Sequence, residues 1–504
     1  MQARSIAITT STDDIFASKA DAIVLFTTEE PTQDELRLAT KLGPTITTAR
    51  ARKEFEGKPK QLLLERHVGT PRFSLLVGLG KREKADAHTL RAAAAQAAES
   101  LRNLGASSIA FLLPSGIGVP AIEPGPAAQA IAEGALLRTY QYLAYRTQKL
   151  DEVKYVTSIA IHAMQEQAAL ARDGANQGQL LADACNMVRD LQNAPSCDMT
   201  PEIMAEAAQR LAKEEGLRCT ILDKRQLQKQ GYNGIASMGK GSTAEPRMVT
   251  LEYIPKNPGK SMKDLRTIAL VGKGITFDTG GISIKPGPKM ADMKFDMSGA
   301  ANVLGIMRVA SRRKLPIRII GILCLAENMP DGGSYKPGDI VKTKSGKTIE
   351  IDNTDAEGRV VLADGLFHAT TFTPELIIDM ATLTGAAGVC LGDAAACIMG
   401  TDQAAIDKLR AAGDASGEKA WQLPLWDEYV EDIKSSYADV KNMGNGMAGT
   451  IIGGIFLKEF VGTTPWVHLD IASVAYAQGR ERWFTPVGGT GFGVRLVSEF
   501  LKNC

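Results

Sequence analysis

The chain has 504 residues, of which 44% are hydrophobic, 23% charged and 6% aromatic, the proportions of a soluble globular protein. Its 58 Lys plus Arg nearly cancel its 57 Asp plus Glu, so nothing global draws it to nucleic acid or to an anionic membrane. No apolar run approaches the roughly 18 to 20 residues of a membrane span, and the length, at roughly 150 residues per domain, gives about three domains and allows the two expected here. The start, Met-Gln-Ala-Arg-Ser-Ile-Ala-Ile-Thr-Thr, reads as a strand entering polar sequence, without a basic and then apolar signal. Seven cysteines form no CxxC pair, and the expectation is a cytoplasmic protein with reduced, mostly buried thiols.

From Ser5 to about His162, β-type runs at residues 22–26, 61–64, 73–77, 107–113 and 155–162 alternate with helical patterns such as 85–104, the signature of an α/β domain. This half carries no cluster of chemically useful side chains. Residues 165–191 read as one long helix, ended by Asn193-Ala-Pro195, and Thr200-Pro201 signals the start of the next. The expected division is an N-terminal α/β domain over residues 1–170, for assembly or regulation, a linker helix over 171–195 and a catalytic domain over 196–504.

Beyond Thr200 the pattern is again α/β. Runs at 267–271, 317–325 and 376–379 are nearly continuous apolar sequence, as parallel strands covered on both faces should be. The expected fold is therefore an N-terminal α/β domain joined by a long helix to a C-terminal α/β/α domain with a mixed central sheet. Each run ends at polar residues: Lys273 and Asp278, then Glu327 and Asn328, then Asp379 and Thr382. Open α/β sheets bind ligands beyond the carboxyl ends of their strands.

Two segments carry the chemistry. In 271–288 the glycines at 272, 274, 280 and 281, with Pro286 and Pro288, predict a loop holding Lys273, Asp278 and Lys285, and Asp296 follows just before a helical pattern at 299–308. Residues 353–359, Asn-Thr-Asp-Ala-Glu-Gly-Arg, come after a β-type stretch at 347–352. In extended or loop backbone Asp355, Glu357 and Arg359 project into one space, whereas in a helix Asp355 and Glu357 diverge. Taken singly, each residue has a plainer account: a salt-bridged surface loop, solvated lysines at 273 and 285, or Asp278 capping a turn. Asp292 rivals Asp296 as a ligand. Taken together, four gathered carboxylates repel unless cations offset them, and two divalent ions bridged by carboxylates do so while activating water. The donor set suits Zn, Mn or Mg. The five histidines lie outside both segments and there is no HExxH, which excludes a single-zinc protease of that kind.

VGKGITFDTGG at 271–281 and NTDAEGR at 353–359 resemble the signature pair of the leucyl aminopeptidase family, hexameric two-metal enzymes that remove N-terminal residues from peptides. The likeness covers most of 192–500, including Glu327-Asn-Met-Pro, Asp379-Met-Ala-Thr-Leu-Thr-Gly385, Trp466-Val-His-Leu-Asp-Ile471 and Gly491-Phe-Gly-Val-Arg495. It implies a zinc-exopeptidase-like catalytic domain in which Lys273, Asp278, Asp296 and Glu357 bind one metal and Asp278, Asp355 and Glu357 the other. It further implies two ions per subunit (Mn or Zn, with Mg as the third candidate), Lys285 stabilising the gem-diolate, and Arg359 holding a bicarbonate base toward a metal-bridged water. Met293, Thr382 and Leu383 match substrate-contacting positions. The implied partners are peptides with Leu or another apolar first residue, and other copies of the chain in a homohexamer.

The chain departs from the family pattern at Thr279, where Ser is common, at Ser298, where Gly is common, and in Asn445-Gly-Met-Ala-Gly449, which lacks an arginine. None of the seven implied metal or catalytic residues is altered. Gly346-Lys347-Thr348 ends like a P-loop but has Val341 where glycine is required, and there is no GxSxG. His468 beside Asp470 reads as a structural histidine. Some bacterial relatives also regulate through DNA, and basic pieces at 50–60 and 81–84 would be the N-terminal contacts for it, against charge runs' usual place on solvated faces.

Overall fold

The computed structural model describes residues 6–114, 122–256, 265–478 and 485–504. It divides into two compact units, the first comprising Met1–Asn186 with Gly479–Val487 and the second Met187–Gln478 with Gly488–Cys504.

In the first unit β1 (Ala7–Ser11), β2 (Ala22–Thr27), β3 (Leu62–Arg66), β4 (Phe73–Gly78), β5 (Ser108–Leu112) and β6 (Ser158–His162) form one sheet in the order β1-β6-β5-β2-β4-β3. All neighbours are parallel except β3 and β4. The helices are α1 (Gln33–Thr40), α2 (Pro44–Ala51), α3 (Ala87–Asn103) and α4 (Pro124–Thr139), and α5 (Ala168–Asn193) runs on past the unit's end. A Cβ on Gly174 would stand 2.0 Å from the Gly125 carbonyl oxygen, and one on Gly178 2.6 Å from that of Gln129. These close approaches tie the first half of α5 to α4. Its last turns belong with the second unit, where the Gln192 amide donates to Ser298 Oγ at 2.8 Å. The units thus divide inside α5, between Asn186 and Met187.

The second unit opens with α6 (Pro201–Glu215), whose N-cap Thr200 accepts from Ile203 N and whose Pro201 occupies the first turn. There follow β7 (Arg218–Leu222), α7 (Lys224–Gln230), α8 (Asn233–Met238), β8 (Arg247–Tyr253), β9 (Thr267–Asp278), α9 (Ser298–Arg313), β10 (Arg318–Asn328), β11 (Ile340–Lys342), β12 (Thr348–Glu350) and α10 (Glu357–Thr370). The chain continues through β13 (Leu376–Ala381), α11 (Ala386–Leu391), β14 (Ala396–Gly400), α12 (Gln403–Ser416), β15 (Ala420–Gln422), β16 (Val440–Lys441), α13 (Gly449–Lys458), β17 (Trp466–Asp470) and α14 (Val494–Lys502).

Its eight-stranded sheet has the order β15-β14-β17-β13-β9-β10-β8-β7. The four central strands, β17, β13, β9 and β10, are parallel, while β14 and β8 join them antiparallel. The central strands are buried on both faces, which explains their unbroken apolar sequence. Side chains such as Val271, Ile322 and Ile377 pack with α8, α10 and α13, and α9 covers the opposite face, so the layers are α/β/α, as expected. Where the sequence predicts a loop from residue 272, the structure continues β9 through Asp278. The glycines serve packing there, since a Cβ on Gly272 would lie 2.5 Å from Ala300 Cα. Of the seven free cysteines, 185, 324 and 397 are buried, 219 and 504 half-buried, and 197 and 390 exposed, a less buried set than expected. Among the described residues no helix is long and apolar enough to cross a membrane.

Candidate metal centre

Alternation along β9 turns Gly272 and Gly274 toward α9 and Lys273 toward the start of α10. The Lys273 ammonium is buried between carboxylates: Nζ lies 2.9 Å from Asp296 Oδ2 and 2.7 Å from Glu357 Oε1, and it donates to the Thr382 carbonyl at 2.9 Å. Gly358 makes room for it, because a Cβ at 358 would stand 2.7 Å from Lys273 Cε.

Asp278 ends β9. Its Oδ1 accepts from Gly280 N at 2.9 Å and from Asn328 Nδ2 at 2.8 Å, so it does cap a turn as well as face the cluster. Positive φ at Gly280 and Gly281, 85° and 65°, sends the chain back toward β9, and Lys285 N donates to the Thr279 carbonyl at 2.8 Å. This return places Lys285 Nζ 2.9 Å from Asp278 Oδ2 and in an ion pair with Asp355 Oδ1.

The segment 353–359 is neither wholly extended nor wholly helical. Asp355 lies in the turn and Glu357 begins α10 after Ala356 at the cap, a place where the helix dipole favours a carboxylate. Convergence therefore comes from the turn and not from extended alternation. Asp278, Asp355 and Glu357 offer oxygens all within 4.8 Å of one another. Arg359, two residues further into the helix, diverges from Glu357, and its Nη1 donates to the Asn442 carbonyl at 2.6 Å.

Of the rival acids, Asp296 is buried beside Lys273 and accepts from Thr382 Oγ1 at 2.7 Å, whereas Asp292 is half-buried and acts on Tyr476. Met293 is half-buried in the turn before Asp296. Leu383 N donates to Asp470 Oδ1 at 3.2 Å.

Burial raises the Glu357 and Asp296 carboxyls above the usual range, and Asp278 adds to both. Asp355 is raised by burial and then by Asp278. Burial alone would lower Lys273 and Lys285, but the surrounding carboxylates outweigh it and hold both well above the ordinary ammonium value. Burial brings Arg359 down to about 10. Protons and lysines thus offset part of the carboxylate repulsion, a task suited to divalent cations. Two orphaned atoms fit bound groups: among the described residues Glu357 Oε2 and Arg359 Nε are buried without a partner.

Sequence reasoning missed three supports. Asn328, noted only as polar, orients Asp278 and also donates to the Thr354 carbonyl at 3.0 Å. The buried Tyr335 hydroxyl donates to that same carbonyl. Asn442 donates to the Asn353 carbonyl at 2.7 Å and receives Asp352 N at 2.8 Å, fixing the turn. Asn328 sits at a strand end and was findable, but Asn442 and Tyr335 carry no local signal. His468 is structural as expected, with a different partner: its Nδ1 lies 2.6 Å from Asp379 Oδ1 and its ring stacks on Trp466.

Carboxylates and lysines gather at the carboxyl ends of parallel strands in an α/β/α domain, where open sheets bind ligands, and the oxygen donors suit divalent ions. The chain belongs to the cytosol aminopeptidase family: the family's catalytic-domain model matches residues 186–498 and its N-terminal-domain model residues 22–149. It is 41% identical to a "Probable cytosol aminopeptidase" of Roseiflexus castenholzii, covering 98% of this chain and 99% of that one, and 40% identical to one of Aquifex aeolicus, covering 97% of each. Among solved structures it is similar to the bottromycin maturation enzyme BotP in complex with Mn, with TM-score 0.85, 35% identity and coverage of 96% and 99%. It is also similar to a mutant tomato leucine aminopeptidase, with TM-score 0.88, 30% identity and coverage of 100% and 98%. The protein is an aminopeptidase.

Proposed function

We propose that the chain removes the N-terminal residue, Leu or another apolar one, from peptides and amides at a two-ion site formed by Lys273, Asp278, Asp296, Asp355 and Glu357. The observation that carries this reading is the convergence of Asp278, Asp355 and Glu357 oxygens within 4.8 Å, beside the Lys273 and Asp296 pair. Lys273, Asp278, Asp296 and Glu357 would hold one ion and Asp278, Asp355 and Glu357 the other, with Mn or Zn ahead of Mg. Bound there, the two ions supply charge neutralisation and an activated water, and a bicarbonate on Arg359 supplies a base.

The chain's own groups do the rest. Lys285, half-buried on its returning loop, donates to the oxyanion that develops at the scissile carbonyl. Asp296 accepts from the substrate's free amine, which sets the enzyme to chain ends. Thr382 and Leu383 contact the substrate backbone, and Met293 borders the first side-chain pocket. Arg359 keeps its Nε for an anion while Nη1 is anchored on Asn442. Assembly as a homohexamer, on the strength of the motifs, and cytoplasmic residence complete the proposal. DNA regulation is left out of it: of the basic runs, Arg52 pairs with Glu54, Lys58 with Glu56 and Arg82 with Glu35.

The test is a panel of leucyl peptides with free and acetylated N-termini. Cleavage of the free set alone, lost on chelation and regained with Mn, is expected. Equal cleavage of the acetylated set would sink the exopeptidase reading.

A further inference from the structure

Lys273 and Asp278 lie on one strand at an odd spacing, which regular alternation sends to opposite faces of the sheet. Yet both reach the same cluster. The ladder between β9 and β10 explains how: Ile275 pairs with Ala326 and Asp278 with Asn328, so β9 spends one more residue than β10 between the two pairs. The extra residue makes a bulge, which re-aims the side chains beyond it. On β10 alternation is regular, and Asn328 shares the face of Cys324, the partner of Lys273.

Asn328 sits where this irregularity is fixed. It is fully buried, and its carbonyl accepts from Thr279 N at 3.0 Å and from Thr279 Oγ1 at 2.8 Å, just past the bulge. Both hydrogens of its amide go to acceptors, Asp278 Oδ1 at 2.8 Å and the Thr354 carbonyl at 3.0 Å. With Gly280 N also on Oδ1, Oδ2 is the oxygen of Asp278 turned to the cluster, 2.9 Å from Lys285 Nζ. The Thr354 carbonyl belongs to the peptide that enters Asp355. One amide thus joins the bulged end of β9 to the turn that carries Asp355. Lys273 and Asp296 are held differently, by each other and by Thr382, and among the described residues Asn328 bonds to neither.

We propose, resting on the two-ion reading above, that Asn328 is a positioning residue for one ion of the pair. Without its amide the ion on Asp278, Asp355 and Glu357 loses affinity, while the ion on Lys273, Asp278, Asp296 and Glu357 keeps most of its own. Two of the three ligands of the former lean on this amide, against one of four for the latter. Groups that orient a metal ligand in this way are worth about 10- to 100-fold in affinity.

Metal-free wild type, Asn328→Ala and Asn328→Leu are titrated with manganese chloride by calorimetry, after urea unfolding has shown each chain to be folded. Leu keeps the branched shape of Asn without its donors. Two ions are expected in the wild type, and in both variants one dissociation constant should rise about 10- to 100-fold while the other changes little. In an Asp355→Asn background, where the three-ligand ion is already lost, Asn328→Ala should add little, because both changes act on the same ion. Leucyl amide turnover in Asn328→Ala, low at limiting Mn, should return when Mn is raised. Equal weakening of both ions, weakening of neither, or a full effect of Asn328→Ala in the Asp355→Asn background would overturn the proposal. Failure of both variants to fold would make Asn328 a folding element and overturn it too. Fewer than two ions in the wild type would instead refute the two-ion reading itself, before any variant is compared.

Discussion

Gly358→Ala separates packing at the metal centre from stability. The added Cβ would stand 2.7 Å from Lys273 Cε, 2.8 Å from Cδ and 2.9 Å from Nζ, against an ordinary contact of about 3.5 to 4.0 Å. Lys273 must therefore move about 1 Å, and it cannot do so freely, because Asp296, Glu357 and the Thr382 carbonyl hold its ammonium on three sides. In a helix the exchange of glycine for alanine gains about 1 kcal/mol, and overpacking costs about 1 to 3 kcal/mol, so net stability changes by no more than about 2 kcal/mol. A 1 Å displacement at a catalytic centre costs roughly a hundredfold in rate. Turnover of leucyl amide should accordingly fall roughly a hundredfold while the free energy of urea unfolding changes by no more than about 2 kcal/mol. Gly365→Ala is the control, since its Cβ would meet the buried Cys324 Sγ at 2.3 Å, away from the cluster. It should lower the unfolding midpoint and leave the kcat/KM of folded protein intact. Full activity in Gly358→Ala would refute the role of Lys273.

Lys285→Ala removes the proposed oxyanion donor and should cut kcat by roughly a hundredfold to a thousandfold with little change in KM, in steady-state kinetics at saturating Mn. Mn should raise the thermal midpoint and chelation lower it, because ions that bind only the folded cluster add about 2.7 kcal/mol at a hundredfold excess over Kd. His368, between Tyr232 and Thr250 at 2.8 and 3.1 Å, supplies an acid-sensitivity test. Burial first, and Lys344 second, lower its imidazole to about 4. Between that value and its ordinary one near 6.5 the unfolded chain holds the extra proton, so stability falls as pH drops through this window and returns above it. By pH 5 the loss is about 2 kcal/mol, and His368→Phe should flatten that part of the pH profile in urea titrations.

Much of the catalytic domain was legible because two-sided burial writes itself as unbroken apolar runs, and because capping residues such as Thr200 with Pro201 mark helix starts. The gathering of acids was legible from strand ends. The backbone that gathers them was less so. The glycines at 272 and 274 looked like loop residues, yet they admit α9 against a continuing strand, and that need depends on a helix starting more than twenty positions later. The 353–359 segment was expected to converge in extended or loop backbone; Asp355 does lie in a turn, but Glu357 already begins a helix, and the turn is held by Asn442 from far along the chain. The division within α5 was expected from the sequence, which reads 171–195 as a linker helix, but where along the helix it falls depends on close approaches such as those at Gly174 and Gly178.

The most direct test of the two-ion site is the number of Mn ions bound per chain at equilibrium by wild type and by Glu357→Gln. Glu357 would bridge both ions, so the account predicts about two ions for the wild type and loss of tight binding in the variant. Two tightly bound ions in Glu357→Gln, or none in the wild type, would contradict it.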